Sequence, residues 1–88
     1  MYALEKEIGN IESPTLIING DEDDMCLEVG LFLKTAIKTS GLLIVPKTGH
    51  TINLEEPALF NSHLLEFYYS INTSSWGKRD NRAEIIKF

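Results

Sequence analysis

The amino-acid sequence predicts an α/β fold with a partial parallel sheet, in the order strand, helix, strand, helix. Two short runs of apolar residues carry this prediction, because neither run alternates with polar residues as a half-exposed strand does. The segment between the runs has helical periodicity, and strands joined through a helix of this length are parallel neighbours. Two strands make an incomplete sheet, so we expect the chain to be a fragment of a wider α/β domain.

The composition and charge of the 88 residues exclude several classes of protein. Hydrophobic residues make up 43% and charged residues 24%, which is typical of a folded domain and not of a disordered chain. No apolar run approaches the roughly 18 residues that a membrane span requires, and the first residues show no signal peptide. The net charge of −5 argues against nucleic acid and anionic membranes as partners. A single cysteine and no export signal predict a cytoplasmic location.

The first half of the chain is predicted to hold one strand and one helix. Gly9 and Asn10 indicate the end of a short helix, and the strand follows at residues 15–19, a run of β-branched and apolar side chains. Residues 28–39 are predicted to be helical, because apolar side chains recur there at three- and four-residue steps and form one stripe. Ser40-Gly41 is expected to end this helix, with the glycine in the left-handed cap conformation.

The second half is predicted to repeat this order. Residues 42–46 are a second continuous apolar run, suited to a strand covered on both faces, and residues 47–56 are predicted to be a loop. Pro57 suits the first position of a helix that is predicted to end at about Ile71. From residue 73 the periodic pattern is lost, and residues 73–88 are predicted to be a polar tail.

Both predicted strands end in loops that carry titratable side chains. Four acidic residues, 21–24, follow the first strand, and His50 follows the second. The carboxyl ends of parallel strands lie at the same edge of a sheet, so a carboxylate and an imidazole from these loops can meet. A carboxylate that accepts the N–H of histidine orients the ring and stabilises its protonated form.

Simpler interpretations of the same residues stay open on the pattern alone. An acidic run is often a solvated loop, and a lone loop histidine is more often a surface residue than a catalyst. His63 fits that surface role, and Cys26 fits a small buried residue near a helix start. One cysteine excludes an intrachain disulfide and a multi-cysteine metal site. The acidic run lacks the glycine of a calcium loop, so no metal is predicted.

The sequence of these two loops resembles two motifs of the α/β-hydrolase superfamily. Residues 14–23 match P-T-L-h-h-x-G-x-x-D, in which the last residue is the acid of the catalytic triad, and residues 49–60 match G-H-x-x-x-x-E-x-P-x-x-F, in which the histidine is the base. The resemblance implies that Asp23 is the acid and His50 the base. It also implies that residues 1–72 are the C-terminal portion of such a domain. Glu55 and Pro57 are expected to set the loop and to start the last helix.

The sequence departs from the superfamily pattern in one respect. The nucleophile of these hydrolases precedes the acid in a G-x-S-x-G elbow, and no residue two places after a glycine in this chain is Ser, Cys or Asp. The resemblance therefore implies the acid and base of a serine-hydrolase-like enzyme, cleaving ester or related bonds, without its nucleophile. Such a chain is expected to be inactive alone, to meet a small-molecule substrate only in the intact enzyme, and to need no cofactor.

Two further hypotheses remain open at this point. The chain could be a small non-catalytic interaction module that forms a homo-oligomer or pairs with a partner through its exposed sheet edge. Alternatively, a separate N-terminal hydrolase segment could supply the serine, so that the two chains complement each other.

Overall fold

The computed structural model describes residues 7–77 and has the predicted order of elements with one short helix added. The elements are strand β1 (Thr15–Gly20), helix α1 (Asp24–Ala36), strand β2 (Ser40–Val45), helix α2 (Ile52–Glu55) and helix α3 (Pro57–Asn72). The strands pair in parallel, with Thr15 opposite Ser40 and Gly20 opposite Val45. The parallel α/β arrangement is therefore confirmed. Within residues 7–77, no helix has the length and apolar character to cross a membrane.

Helix α1 begins and ends earlier than the sequence predicted, so both predicted bounds were wrong. It starts in the acidic run, where Asp24 lies at the positive end of the helix dipole. At its other end Ile37 is extended, with φ −98° and ψ 104°. The Ser40 hydroxyl donates to the carbonyl of Ile37 at 2.6 Å, and the Lys34 ammonium donates to the carbonyl of Ser40 at 2.8 Å. These contacts turn the chain into β2, so Ser40-Gly41 opens a strand and does not cap the helix.

Gly41 has a role that the sequence did not indicate. No glycine within residues 7–77 has a positive φ, whereas a β-carbon at Gly41 would lie 2.5 Å from the ring of Trp76. The indole N–H of Trp76 donates to the carbonyl of Thr39 at 2.6 Å, and its ring packs edge-on against Phe67 with centroids 4.8 Å apart. The first residues of the predicted tail thus fold back onto the start of β2. Residues 78–88 of that tail lie outside the described residues.

The apolar stripe of α1 is only partly buried. Val29 and Phe32 are 55% and 44% exposed, and most strand residues are half-buried. Among residues 7–77, the buried apolar side chains are Ile37, Val45 and Ile52. Two strands are too narrow to cover both faces of the sheet and the apolar sides of the helices. Within residues 7–77 the sheet stops at these two strands, as expected for an incomplete sheet.

Candidate active site

Asp23 and His50 lie side by side at the carboxyl end of the sheet. The Oδ2 atom of Asp23 is 2.7 Å from the Nδ1 atom of His50, which donates its proton to the carboxylate. The side chain of Asp23 is 18% exposed and that of His50 is 78% exposed. No hydrogen bond within residues 7–77 engages the Nε2 atom of His50. One ring nitrogen is therefore held by the carboxylate while the other faces open space.

Backbone contacts between the two loops bring these side chains together. Beyond the end of β1, the N–H of Asp21 donates to the carbonyl of Val45 at 2.9 Å, and the N–H of Glu22 donates to the carbonyl of Thr48 at 3.1 Å. A β-carbon at Gly20 would overlap the carbonyl oxygens of Thr48 and Gly49. The acid loop and the base loop are thus in backbone contact just before the two side chains meet.

The local conformation of Asp23 directs its carboxylate toward His50. Asp23 is the N-cap residue of α1, and its carbonyl accepts from the N–H of Leu27 at 2.9 Å. An N-cap aspartate ordinarily accepts a backbone N–H of the first turn with its side chain. Asp23 forms no capping bond of ordinary length, although the backbone N–H of Cys26 makes a small contribution to lowering its pKa. The short contact of its carboxylate is with the imidazole of His50.

Glu55 holds the backbone on both sides of His50. Its carboxylate accepts the N–H of Gly49 at 3.1 Å, and the N–H and hydroxyl of Thr51 at 3.2 Å each. Helix α2, in the segment predicted to be a loop, carries Glu55 at its last residue. The prediction that Glu55 sets this loop is confirmed, and these three contacts are its physical basis.

Cys26 is a third functional group at the site, and sequence analysis missed its position. Its Sγ atom is 3.7 Å from Nδ1 of His50, and the donor atoms of Asp23, Cys26 and His50 all lie within 4.8 Å of one another. A signal was present in the spacing, because residues three apart in a first helical turn share a face. Asp23 and Cys26 have that spacing across the start of α1.

The contacts at the site shift two pKa values in opposite directions. The hydrogen bond from His50 lowers the pKa of Asp23 below its usual range, the Cys26 thiol adds a smaller lowering, and burial acts in the opposite direction. Asp23 in turn raises the pKa of Cys26, and burial adds to that effect. At neutral pH the site therefore holds a carboxylate and a thiol beside the imidazole. A carboxylate–imidazole pair of this kind can take up a proton at Nε2 and return it.

The other acidic residues of the run are solvated, as the simpler interpretation predicted for them. Asp21, Glu22 and Asp24 are exposed. Glu22 lies 3.4 Å from the ammonium of Lys47, in a pair that is exposed on both sides and contributes little to stability. His63 lies on α3, where its Nδ1 atom is 3.8 Å from a carboxylate oxygen of Glu66.

Two known proteins are similar to this chain, and no family model matches it. A protein of Bacillus subtilis (strain 168), provisionally named 2-succinyl-6-hydroxy-2,4-cyclohexadiene-1-carboxylate synthase, is 33% identical over 69 residues, which are 78% of this chain and 25% of the relative. The solved structure of MenH from S. aureus has a TM-score of 0.73 and 28% identity, covering 76% of this chain and 25% of that one. The chain thus spans about a quarter of the length of each relative. With its parallel strands and two motifs, the chain is similar to part of an α/β-hydrolase domain.

Proposed function

We propose that Asp23 and His50 are the acid and the base of a catalytic triad, and that the chain is inactive without a nucleophile from elsewhere. The contact of 2.7 Å between Oδ2 of Asp23 and Nδ1 of His50 supports this proposal most directly. That contact fixes the proton on Nδ1, which leaves Nε2 as the basic nitrogen. The exposure of the His50 ring supports the same role, because a nucleophile can approach the open nitrogen.

The proposed mechanism is a two-step transfer of one proton. Nε2 of His50 takes the proton of the attacking hydroxyl or water, and the ring becomes an imidazolium. The carboxylate of Asp23 keeps the hydrogen bond from Nδ1 and stabilises the positive charge without taking the proton itself. The Nε2–H then protonates the leaving group, which restores the neutral ring and the starting state of the pair.

We propose that the missing nucleophile belongs to a complementing hydrolase segment that packs on the free face of this chain. The relatives are about four times as long as the matched region. The partial sheet and the exposed apolar side chains of α1 support such a neighbour, because burying them is favourable. The substrate pocket then lies mainly outside the chain, with His50 at its wall.

The completed protein is proposed to act on a small molecule by proton transfer at this pair. The relative from Bacillus subtilis is named as a synthase, whereas the superfamily motifs imply hydrolysis of an ester or related bond. We propose that His50 serves as the base in either reaction. The synthase reaction is the first candidate because the match to the named relative covers 78% of this chain.

A chimera tests the proposed roles of Asp23 and His50. The matched segment of the Bacillus subtilis relative would be replaced by the corresponding residues of this chain, and synthase activity and p-nitrophenyl acetate hydrolysis would be measured. We expect the chimera to be active in one of these assays, and Asp23→Asn or His50→Ala to lower kcat by at least about a thousandfold. His63→Gln is the matched control and should keep full activity. An active chimera that tolerates His50→Ala would overturn the proposal.

The chain by itself provides the complementary test. Without a nucleophile, the purified 88-residue chain should hydrolyse p-nitrophenyl acetate no faster than His50→Ala or buffer. Turnover by the wild-type chain that disappears in His50→Ala would contradict the proposed inactivity of the isolated chain.

The interaction-module hypothesis remains a second candidate, and the exposed apolar side chains favour it. Leu65 and Tyr69 on α3 are exposed, as are Val29 and Phe32 on α1. Such residues would suit a discrete homo-oligomer as well as a missing part of the domain. Native mass spectrometry separates the two: a single tight oligomer supports the module, whereas a monomer that binds a nucleophile-bearing hydrolase segment supports the catalytic role.

A further inference from the structure

We propose that Asp23, Cys26 and His50 together bind one Zn²⁺ ion. The three side chains come from two loops and offer a carboxylate oxygen, a sulfur and an imidazole nitrogen, all within 4.8 Å of one another. This combination of donors is one that zinc sites use, with a fourth position left for water. The inference goes beyond the proposed function, because metal binding needs neither a nucleophile nor a substrate.

Two of the three distances between the donor atoms lie close to those of a tetrahedral ion, and the third, between Asp23 and Cys26, is within 4.8 Å. Zinc bonds of about 2.3 Å to sulfur and about 2.0 Å to nitrogen and oxygen place tetrahedral neighbours about 3.3–3.6 Å apart. Sγ of Cys26 and Nδ1 of His50 are already 3.7 Å apart. Oδ2 of Asp23 and Nδ1 are 2.7 Å apart, so binding requires the hydrogen bond to open by about 0.6 Å. The exposed ring of His50 has room for that movement.

The charge of the site favours a divalent cation that accepts sulfur. A carboxylate, a thiolate and a neutral imidazole carry two negative charges, which balance Zn²⁺. The exposed carboxylates of Asp21 and Asp24 add to the negative potential near the site. Thiolate and imidazole ligands discriminate against Mg²⁺ and Ca²⁺, which prefer oxygen. Binding releases the thiol proton of Cys26 to solvent as the Zn–S bond forms. The proton on Nδ1 of His50 moves through solvent to Nε2, so that the neutral ring offers the lone pair of Nδ1 to the metal.

Zinc at this position would also inhibit a completed active site. The ion replaces the hydrogen bond between Asp23 and His50, so the imidazole loses the partner that orients it and stabilises its charge. This second consequence rests on the proposed function, whereas the binding of zinc does not.

Metal titrations of the full 88-residue chain test the proposal. Zn²⁺ binding would be measured by calorimetry, and Co²⁺ binding by its sulfur-to-metal charge-transfer absorption. We expect one equivalent of either metal, an absorption band with Co²⁺, and no displacement of Zn²⁺ by excess Mg²⁺. In Cys26→Ser the band should disappear and Zn²⁺ should bind at least about tenfold more weakly, since even loss of an outer-shell partner costs about 10–100-fold. His63→Gln, which removes the other histidine of the chain, should bind like wild type.

Several results would overturn the inference. These are wild-type Co²⁺ spectra without the sulfur band, unchanged Zn²⁺ affinity in Cys26→Ser, or equal losses in His63→Gln and His50→Gln. Circular dichroism checks that Cys26→Ser is folded. If Cys26→Ser is unfolded, His50→Gln tests the site instead, because the exposed side chain of His50 can be replaced without disturbing the core. His50→Gln must then weaken Zn²⁺ binding. The chimera assays contain a chelator, so they report on the proposed function without zinc. A failure to bind zinc therefore does not contradict the proposed function, and an inactive chimera does not contradict zinc binding.

Discussion

Gly20 lies directly against the peptide carbonyl of Thr48, with no space between them for a β-carbon. This contact joins the end of β1 to the loop that carries His50. We therefore predict that Gly20→Ala pushes the two loops apart and lowers the free energy of unfolding by about 1–3 kcal/mol. Urea denaturation measures the change. Gly77→Ala is the matched control, because no atom of the other described residues lies within 4 Å of a β-carbon there. Equal denaturation midpoints for the two variants would contradict the prediction.

The carboxylate of Glu55 should be needed to order the backbone around His50. Glu55→Ala removes three hydrogen bonds to Gly49 and Thr51, and we expect the stability to fall by about 1–2 kcal/mol. Hydrogen exchange at the two amides should become faster. Glu56→Ala is the control, since that exposed neighbour makes no side-chain capping bond. Unchanged exchange at Gly49 and Thr51 in Glu55→Ala would show that the carboxylate does not hold this loop.

Trp76 should stabilise the packing of α3 against the start of β2. Trp76→Ala removes the edge-on contact with Phe67 and the hydrogen bond to Thr39, and should cost about 1–3 kcal/mol because the side chain is only partly buried. Gly41→Ala should act in the same direction by displacing the ring. Tyr69→Ala, at an exposed position of the same helix, should change stability by less than about 0.5 kcal/mol. A Trp76→Ala variant as stable as Tyr69→Ala would refute this role.

The titration of Asp23 should report its contact with His50. In metal-free buffer we expect the pKa of the Asp23 carboxyl to lie below the usual range of an aspartate, and His50→Gln to move that pKa upward toward the usual range. Cys26→Ser should move it less, because the thiol is the smaller cause of the shift. Since the folded-state pKa is lowered, the pair stabilises the fold above the unfolded pKa of Asp23, and this contribution is lost as the pH falls through the folded value. Carbon NMR of the Asp23 carboxyl measures its pKa. The same pKa in the wild type and in His50→Gln would rule out His50 as the cause of the shift.

The sequence predicts the meeting of Asp23 and His50 for a physical reason. Two continuous apolar runs separated by a helix define parallel strands, and parallel strands place both following loops at one edge. The resemblance to the α/β-hydrolase motifs then implies positions 23 and 50 within those loops. Their hydrogen bond of 2.7 Å joins residues 27 positions apart, and its formation agrees with that reasoning.

The features that the sequence did not predict depend on contacts between distant parts of the chain. The end of α1 is set by Lys34 and Ser40, whose mutual bonds override the helical pattern of residues 37–39. The need for glycine at position 41 comes from Trp76, which lies far along the chain. The apolar stripe of α1 indicates a surface suited to burial, but its periodicity does not predict which part of a protein covers that surface. Side-chain direction at Cys26 likewise depends on where His50 lies.

The position of Trp76 provides the chain with an intrinsic optical probe. It is the single tryptophan of the sequence, and it lies beside Thr39 and Gly41, where β2 begins. His50 follows the opposite end of the same strand. Changes in indole emission would therefore follow the detachment of the last helix, while rearrangements confined to the imidazole would leave the emission spectrum unaltered.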